Sequence, residues 1–359
     1  MAIKERIKKM SHYKPPLEGR SERGYLLLDF NERTTPPSPK VKEALKKFVD
    51  SDRLQVYPEY GDLETRIAQY AGVKIGQVIV TNGGDQGIDI ICRAHADPGD
   101  KIIIPFPEFA MHYQSAGIQG AEILEPGYGE NGEFPLEEVL DLLDDEPRTR
   151  AELGVGLVQN RSKSSGSGKI KLIIFSNPNN PTGISTPIED VVTILEKAKE
   201  KDVAVLHDEA YFEFSGITAK DLIERYDNLY IIRTFAKAFG LVASRAGYVI
   251  SNENNIQELL KIRGPYDVNM FAKIAILTAI ADIKYMKDYV KEVMEKSKPK
   301  LESFLKEKGI FFYSSKANFL LIIVPNPKEL MEKLREKGIL VRPKSAPDGK
   351  EAVRISIGT

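Results

Sequence analysis

Four places in the chain put polar, reactive side chains directly after apolar runs. Asp208, in "HDEAYFEF", follows Val203–His207, so a carboxylate stands where a buried strand should end and needs a cationic partner. Lys237 lies in "RTFAKAFGLVASRAGY" (233–248), among small and apolar residues, with Arg245 further along the same stretch. An amine placed there loses solvation, stays neutral more readily and becomes a nucleophile toward a carbonyl carbon. "SNPNNPTG" (176–183) ends the greasy run Lys171–Phe175 by displaying three asparagines on a proline-braced loop, with Asn180 just before Pro181. "TNGGDQG" (81–87) is a glycine turn feeding a helix, whose free N–H groups and positive dipole end suit a phosphate. Singly, each has a plainer reading: a helix cap, a surface lysine, a structural ion pair, a capped turn. In this order they describe one pocket with an anion cradle, a buried carboxylate, a desolvated amine and a fixed amide.

Such a pocket needs strand ends held side by side, and ligands in open parallel sheets gather at the carboxyl ends of strands. From about Leu63 to Ile262, strand and helix patterns alternate: "QVIVTNGG", "GIDIICRAHA", "DKIIIPFPEF", "AEILEP", "IKLIIFSNP", "VVTILEKAKEKDVAVLHDEAY", "NLYIIRTFAK". Near-continuous apolar strands in a βαβ rhythm predict an α/β unit with a mostly parallel sheet covered on both faces. The remainder predicts a smaller α+β unit: one long amphipathic helix from about Met270 to Lys308, then "IFFYS", "NFLLIIV", the helix "PKELMEKLREKG", and strands "ILVRP" and "AVRISIG". The expected organisation is 1–44 as an N-terminal arm and part of the small domain, 45–265 as the large domain and 266–359 as the small C-terminal domain. The arm is expected to pack back onto the small domain.

The chain of 359 residues carries 51 Lys and Arg against 52 Asp and Glu, a balance that leaves no electrostatic footprint for nucleic acid or an anionic membrane. Its single cysteine, Cys92, excludes an intramolecular disulfide and reads as core packing. No apolar run approaches a membrane span, and the basic "MAIKERIKKMSHYKPP" has no apolar stretch of a secretory leader, so the expected location is the cytoplasm. "RSKSSGSGK" (161–169) reads as a flexible surface loop and lacks Walker spacing. "TNGGDQG" also lacks the G-x-G-x-x-G of a dinucleotide fold.

The ligand that uses all four features is pyridoxal phosphate: a phosphate for the cradle, an aldehyde for Lys237, a ring nitrogen for Asp208 and a phenolic oxygen for Asn180. "NPNNPTG", "DEAYFEF", "RTFAKAFGLVASRAGY" and "VRISIGT" together resemble the fold-type I, class I/II aminotransferases, nearest the histidinol-phosphate aminotransferase branch, over about Tyr25 to Thr359. The resemblance implies a seven-stranded large-domain sheet flanked by helices. It implies that Lys237 joins the cofactor aldehyde and shuttles protons, that Asp208 pairs with the ring nitrogen, and that Asn180 and Tyr211 donate to the phenolic oxygen. Gly84, Asp85, Gln86, Thr234 and Arg245 would hold the phosphate, and Phe109, in "FPEFAMHY", would stack on the ring. Tyr57 would reach the cofactor phosphate of a second subunit, implying a homodimer with shared sites. Arg354, helped by Arg342 and with Asn31 nearby, would bind an anionic group of the substrate.

The implied reaction is transfer of an amino group from a small-molecule donor to a 2-oxo acid, 2-oxoglutarate first among candidates. Histidinol phosphate or an aromatic amino acid is the expected donor; a threonine-phosphate decarboxylase-like reaction is the alternative. A regulator built on the same fold would need a DNA-binding segment, for which there is no room before Tyr25. The sequence departs from the family pattern at Ala236, where serine is common, and at "FNERTTPPSP", which replaces "NENPFGPSP" beside the substrate.

Overall fold

In the computed structural model, residues 3–17, 19–20, 24–144 and 168–359 are described. The segment 161–169, expected as a surface loop, lies outside them except for Gly168 and Lys169. The N-terminal segment forms a short helix, Glu5–Lys9, where only an arm was expected, and a two-residue strand β1 (Leu26–Leu27).

Short apolar runs build the large sheet: β2 (Val78–Thr81), β3 (Lys101–Ile103), β4 (Glu122–Leu124), β5 (Ile170–Ser176), β6 (Ala204–Asp208), β7 (Leu229–Thr234) and β8 (Gly247–Ile250). Their order is β2-β8-β7-β6-β5-β3-β4. The pairs from β4 through β7 are parallel, and β8 alone runs against both its neighbours. The expected mostly parallel, seven-stranded sheet is therefore present, with one reversed strand.

Strand alternation splits the core in two. Leu172, Ile174, Ala204, Leu206 and Ile232 meet the helices Gly83–His95 and Ala110–Gln119, where Cys92 is fully buried. Ile173, Phe175, Val205, Leu229 and Ile231 face the other way, toward the helix Ile188–Glu200. Asp208 has the parity of Ala204 and Leu206, so its side chain goes to the first face. Register sets Ser176 opposite Asp208 and Asp208 opposite Ile232, so the loops leaving β5, β6 and β7 emerge side by side.

The second unit holds β9 (Phe311–Phe312), β10 (Phe319–Ile323), β11 (Ile339–Leu340), β12 (Arg342–Ser345) and β13 (Glu351–Ser356). Four of them form the antiparallel sheet β12-β13-β10-β9; β11 instead pairs in parallel with β1, tying the N-terminal arm to this unit. The long helix expected over Met270–Lys308 is three helices: Met270–Ala281, Ile283–Glu292 and Lys298–Glu307. Asp282 breaks the first junction because its carboxylate accepts from Ser38 Oγ (2.6 Å) and Lys40 Nζ (2.7 Å) at the start of the helix Pro39–Val49. A π turn, Val293–Ser297, occupies the second junction, just before Pro299, which has no N–H to continue an α ladder. Among the described residues no helix is long and apolar enough to cross a membrane.

Candidate active site

The loop after β5 explains its own composition. Asn177 donates Nδ2 to Thr186 O and accepts from Thr186 N, closing the loop's base. Asn179 donates to Pro107 O and Glu108 Oε1, and its Oδ1 accepts from both Thr182 N and Thr182 Oγ1. Gly183 has φ +77°, and a Cβ there would run into Ser315, so only glycine closes the turn. Two asparagines thus brace the loop and the third, Asn180, faces inward. Its Nδ2 donates to Tyr211 Oη at 3.4 Å and its Oδ1 accepts from Arg354 Nη1 at 2.6 Å.

Tyr211, in the turn after β6, is buried, and its hydroxyl also accepts from Asn31 Nδ2 at 2.8 Å. Burial pushes this phenol up to about 12, against the pull of Arg354 and Asn31. Asn31 reaches it from a left-handed backbone (φ 56°) that Ser356 Oγ pins by accepting from Asn31 N. Lys237 Nζ lies 5.8 Å from the Tyr211 ring centroid and donates to Phe30 O at 3.0 Å. Burial, then the nearby Arg354 charge, lowers its pKa to about 8, although Glu32, Asp85 and Asp208 oppose the shift. An amine so placed is far more often neutral near pH 8 than an ordinary lysine.

The cation that Asp208 requires is His112, which the sequence reading missed. Asp208 Oδ1 accepts from Ala210 N, and Oδ2 lies 3.2 Å from His112 Nε2. The ring's other nitrogen lies 3.3 Å from Glu108 Oε2. Burial alone would push the imidazole down, but the carboxylates on either side outweigh it and hold its pKa at about 9. Glu108 is itself fixed, accepting from Ser176 N, Ser176 Oγ, Asn179 Nδ2, Tyr128 Oη and Phe109 N. Its partners join the loop after β5 to the helix beside β6. The signal was present in "FPEFAMHY", where Glu108 and His112 stand four apart, one helical turn, in an otherwise greasy stretch. Phe109, partly buried, meets the His112 ring edge-on at 5.6 Å.

At the other end of the pocket, Gly83 and Gly84 open the helix Gly83–His95. A Cβ on Gly83 would stand 2.7 Å from Arg245 Nη2, so the guanidinium lies directly over the turn. Arg245 itself is left-handed (φ 51°) and donates to Asp85 Oδ2 at 2.7 Å. Thr234 Oγ1 accepts from Ala236 N at the end of β7. The side chain of Gln86 is already engaged: it accepts from Asn82 N, in the turn itself, and donates to Asp267 Oδ2 at 2.6 Å, which leaves its backbone as the group free for a phosphate. Tyr57 is outside this cluster, 73% exposed and stacked on Tyr266 at 4.5 Å. Arg354, on β13, is buried; its Nη2 donates to Asp29 O at 2.8 Å, and its Nε has no partner among the described residues. Arg342 lies opposite it on β12, stacked on Phe30 at 4.7 Å.

These residues fit pyridoxal phosphate. The turn under Arg245 needs the positive φ of Gly83 (+77°) and presents a helix start plus a guanidinium, a place for phosphate. Asp208, Lys237 and the Asn180–Tyr211 pair supply a carboxylate, an amine of lowered pKa and a polar pair close to one another. The family profile for aminotransferase class I and II matches residues 23–359. The histidinol-phosphate aminotransferase of Staphylococcus carnosus (strain TM300) is 33% identical over 99% of this chain and 95% of its own length. That of Geobacillus sp. (strain WCH70) is 34% identical over 100% and 94%. The crystal structure of histidinol-phosphate aminotransferase from Sinorhizobium meliloti in complex with pyridoxal-5'-phosphate superposes with a TM-score of 0.83 at 21% identity, over 100% of this chain and 93% of that one, and so shares the fold. Profile, relatives and pocket agree: the chain belongs to the aminotransferase class I and II family and is a pyridoxal-phosphate-dependent aminotransferase.

Proposed function

We propose that the chain transfers the amino group of histidinol phosphate to a 2-oxo acid, 2-oxoglutarate being the expected acceptor. The observation that carries this reading is Arg354: a buried guanidinium with an unpartnered Nε, one hydrogen bond from Asn180 and within the field of Lys237. It is a fixed receptor for an anionic substrate group. The names of the full-length relatives supply the donor.

When bound, pyridoxal phosphate supplies an aldehyde that takes the donor's amino group and a ring that spreads the charge left on its α-carbon. The chain does the rest. Gly84, Asp85 and Gln86 backbone groups, Thr234 and Arg245 would hold the phosphate. Asp208, held by His112 and Ala210 N, would face the ring nitrogen, and Phe109 would lie against the ring. Asn180 and Tyr211 would donate to the phenolic oxygen. Lys237 Nζ would act first as base, taking the proton from the donor's α-carbon, and then as acid, giving it up again; a pKa near 8 suits both tasks. Arg354, with Arg342 and Asn31 beside it, orients the donor's anionic end.

The same reading makes the protein a cytoplasmic homodimer, in which the exposed Tyr57 reaches the partner's cofactor phosphate, with domains at 1–44, 45–265 and 266–359. The test is an absorption titration of the holoenzyme with histidinol phosphate, phenylalanine, glutamate and threonine phosphate. Histidinol phosphate should bleach the cofactor's long-wavelength band at the lowest concentration, and 2-oxoglutarate should restore it. Bleaching by phenylalanine alone would reassign the donor, and carbon dioxide release from threonine phosphate would replace transfer by decarboxylation.

A further inference from the structure

The small sheet turns one face toward the pocket, and that face carries unneutralised positive charge. Along β12, Arg342 and Lys344 are two apart and share a face. Register places Arg354 of β13 opposite Arg342, and Ala352 opposite Lys344. Leu321 of β10 is paired with Arg354 and belongs with Tyr313, Ala346, Ala352 and Ile184, the last from the loop that carries Asn180. The other face, with Leu320, Ile322 and Val353, joins the main core. So Arg342, Lys344 and Arg354 all stand on the side that meets the Asn180 loop.

None of the three has a carboxylate at ion-pair distance among the described residues. Arg354 is held by neutral oxygens, those of Asn180 and Asp29, and keeps a buried Nε without a partner. Arg342 stacks on Phe30. The acids nearby are engaged elsewhere: Asp29 and Glu32 with Arg20, and Glu108 with Ser176, Asn179, Tyr128 and His112. Ala352, opposite Lys344, is too small to cover it.

We propose that Lys344 is a specificity residue for the amino donor: with Arg342 and Arg354 it forms a three-cation patch that selects a donor ending in a phosphate dianion over one ending in a carboxylate or an uncharged ring. This rests on the assignment of a phosphorylated donor above. The charge count supports it, because a phosphate monoester brings close to two negative charges and three acceptor oxygens, whereas a carboxylate brings one charge and two oxygens. Burial, then Arg354 and Arg342, push the Lys344 ammonium down to about 7, with only Glu108 opposing, as expected of a cation waiting for an anion. A bound dianion would reverse that push and keep the lysine charged.

The experiment compares wild-type holoenzyme with Lys344→Met and Lys344→Arg. It measures kcat and KM for histidinol phosphate and for phenylalanine, and inhibition of phenylalanine turnover by inorganic phosphate. Lys344→Met should raise the KM for histidinol phosphate and the inhibition constant of phosphate about tenfold each, the order expected for losing one charge-assisted hydrogen bond. The loss should appear in KM more than in kcat and should lower the preference over phenylalanine by the same factor; Lys344→Arg should restore most of it. Should the methionine variant fail to hold cofactor, Lys344→Gln carries the same test. A variant that keeps the wild-type preference and phosphate inhibition overturns the role of Lys344 alone. A wild type with neither preference nor phosphate inhibition overturns the phosphorylated donor, and the patch with it.

Discussion

The side of the pocket that carries Asp208, Asn180 and Lys237 is assembled from three neighbouring strand ends, whereas the side that carries Arg354 is assembled from the two ends of the chain. On the first side each side chain follows its own strand by a few residues, and sheet register alone brings the loops together. On the second, Asp29 accepts from Arg354 and Asn31 N donates to Ser356 Oγ across more than three hundred residues, while β1 adds to β11. Phe30, between them, accepts from Lys237, so the N-terminal segment touches both sides at once. The strand-end side is rigid, being braced by Asn177, Asn179 and Glu108. The other depends on long-range closure, and its charges remain free to take a ligand. A half braced by local loops for the cofactor and a half closed by long-range contacts, with its cations unneutralised, for the anionic ends of substrates is a sensible division for an enzyme that must accept two different substrates in turn.

The largest expected effect on the fixed side comes from Asp208→Asn. Losing the charge proposed to face the ring nitrogen should lower kcat by roughly a hundredfold to a thousandfold, the cost typical of removing one preorganised electrostatic group. Single-turnover kinetics of the amino-donor half-reaction would check it; a loss confined to KM would contradict the role given to Asp208.

His112→Gln should do less, about tenfold in kcat, since it acts through Asp208. It also carries a pH signature. The folded pKa, about 9, lies above the usual histidine value, so this group contributes stability that is complete below about pH 6.5 and is lost as pH rises through 9. Denaturant midpoints of the wild-type holoenzyme should therefore fall more between pH 6.5 and 9.5 than those of His112→Gln. Parallel pH profiles would show that His112 is not charged between its two carboxylates.

The contrast between the two sides also explains what could be read from sequence. Asp208, Asn180 and Lys237 were legible because each ends or follows an apolar strand within a few residues, and local pattern is enough to place a strand end; Arg245, further from β7, was legible only through the stretch it shares with Lys237. His112 was not, because its partner comes from a different strand and only the face parity of Asp208 brings them together. The even alternation of "AVLHD" contained that parity, but not which helix would cover the face. The commitment of Gln86 to Asp267 and the interruption of the long helix at Asp282 have the same origin: each depends on one long-range hydrogen bond, and periodicity carries no trace of it. The sequence already placed Arg342 and Arg354 on strands, in "ILVRP" and "AVRISIG"; that Lys344 continues the first of these, and that all three gather on one face, required the register of β12 on β13.

The central claim is that Lys237 is the residue to which the cofactor is attached. Borohydride reduction of the holoenzyme, followed by proteolysis and mass spectrometry, tests it directly. Wild type should carry the reduced cofactor on the peptide containing Lys237, and Lys237→Ala should carry none while losing more than a hundredfold in turnover, as expected when the proton-transfer group is removed. Cofactor fixed to any other lysine in the wild type, or still fixed covalently in Lys237→Ala, would contradict the account.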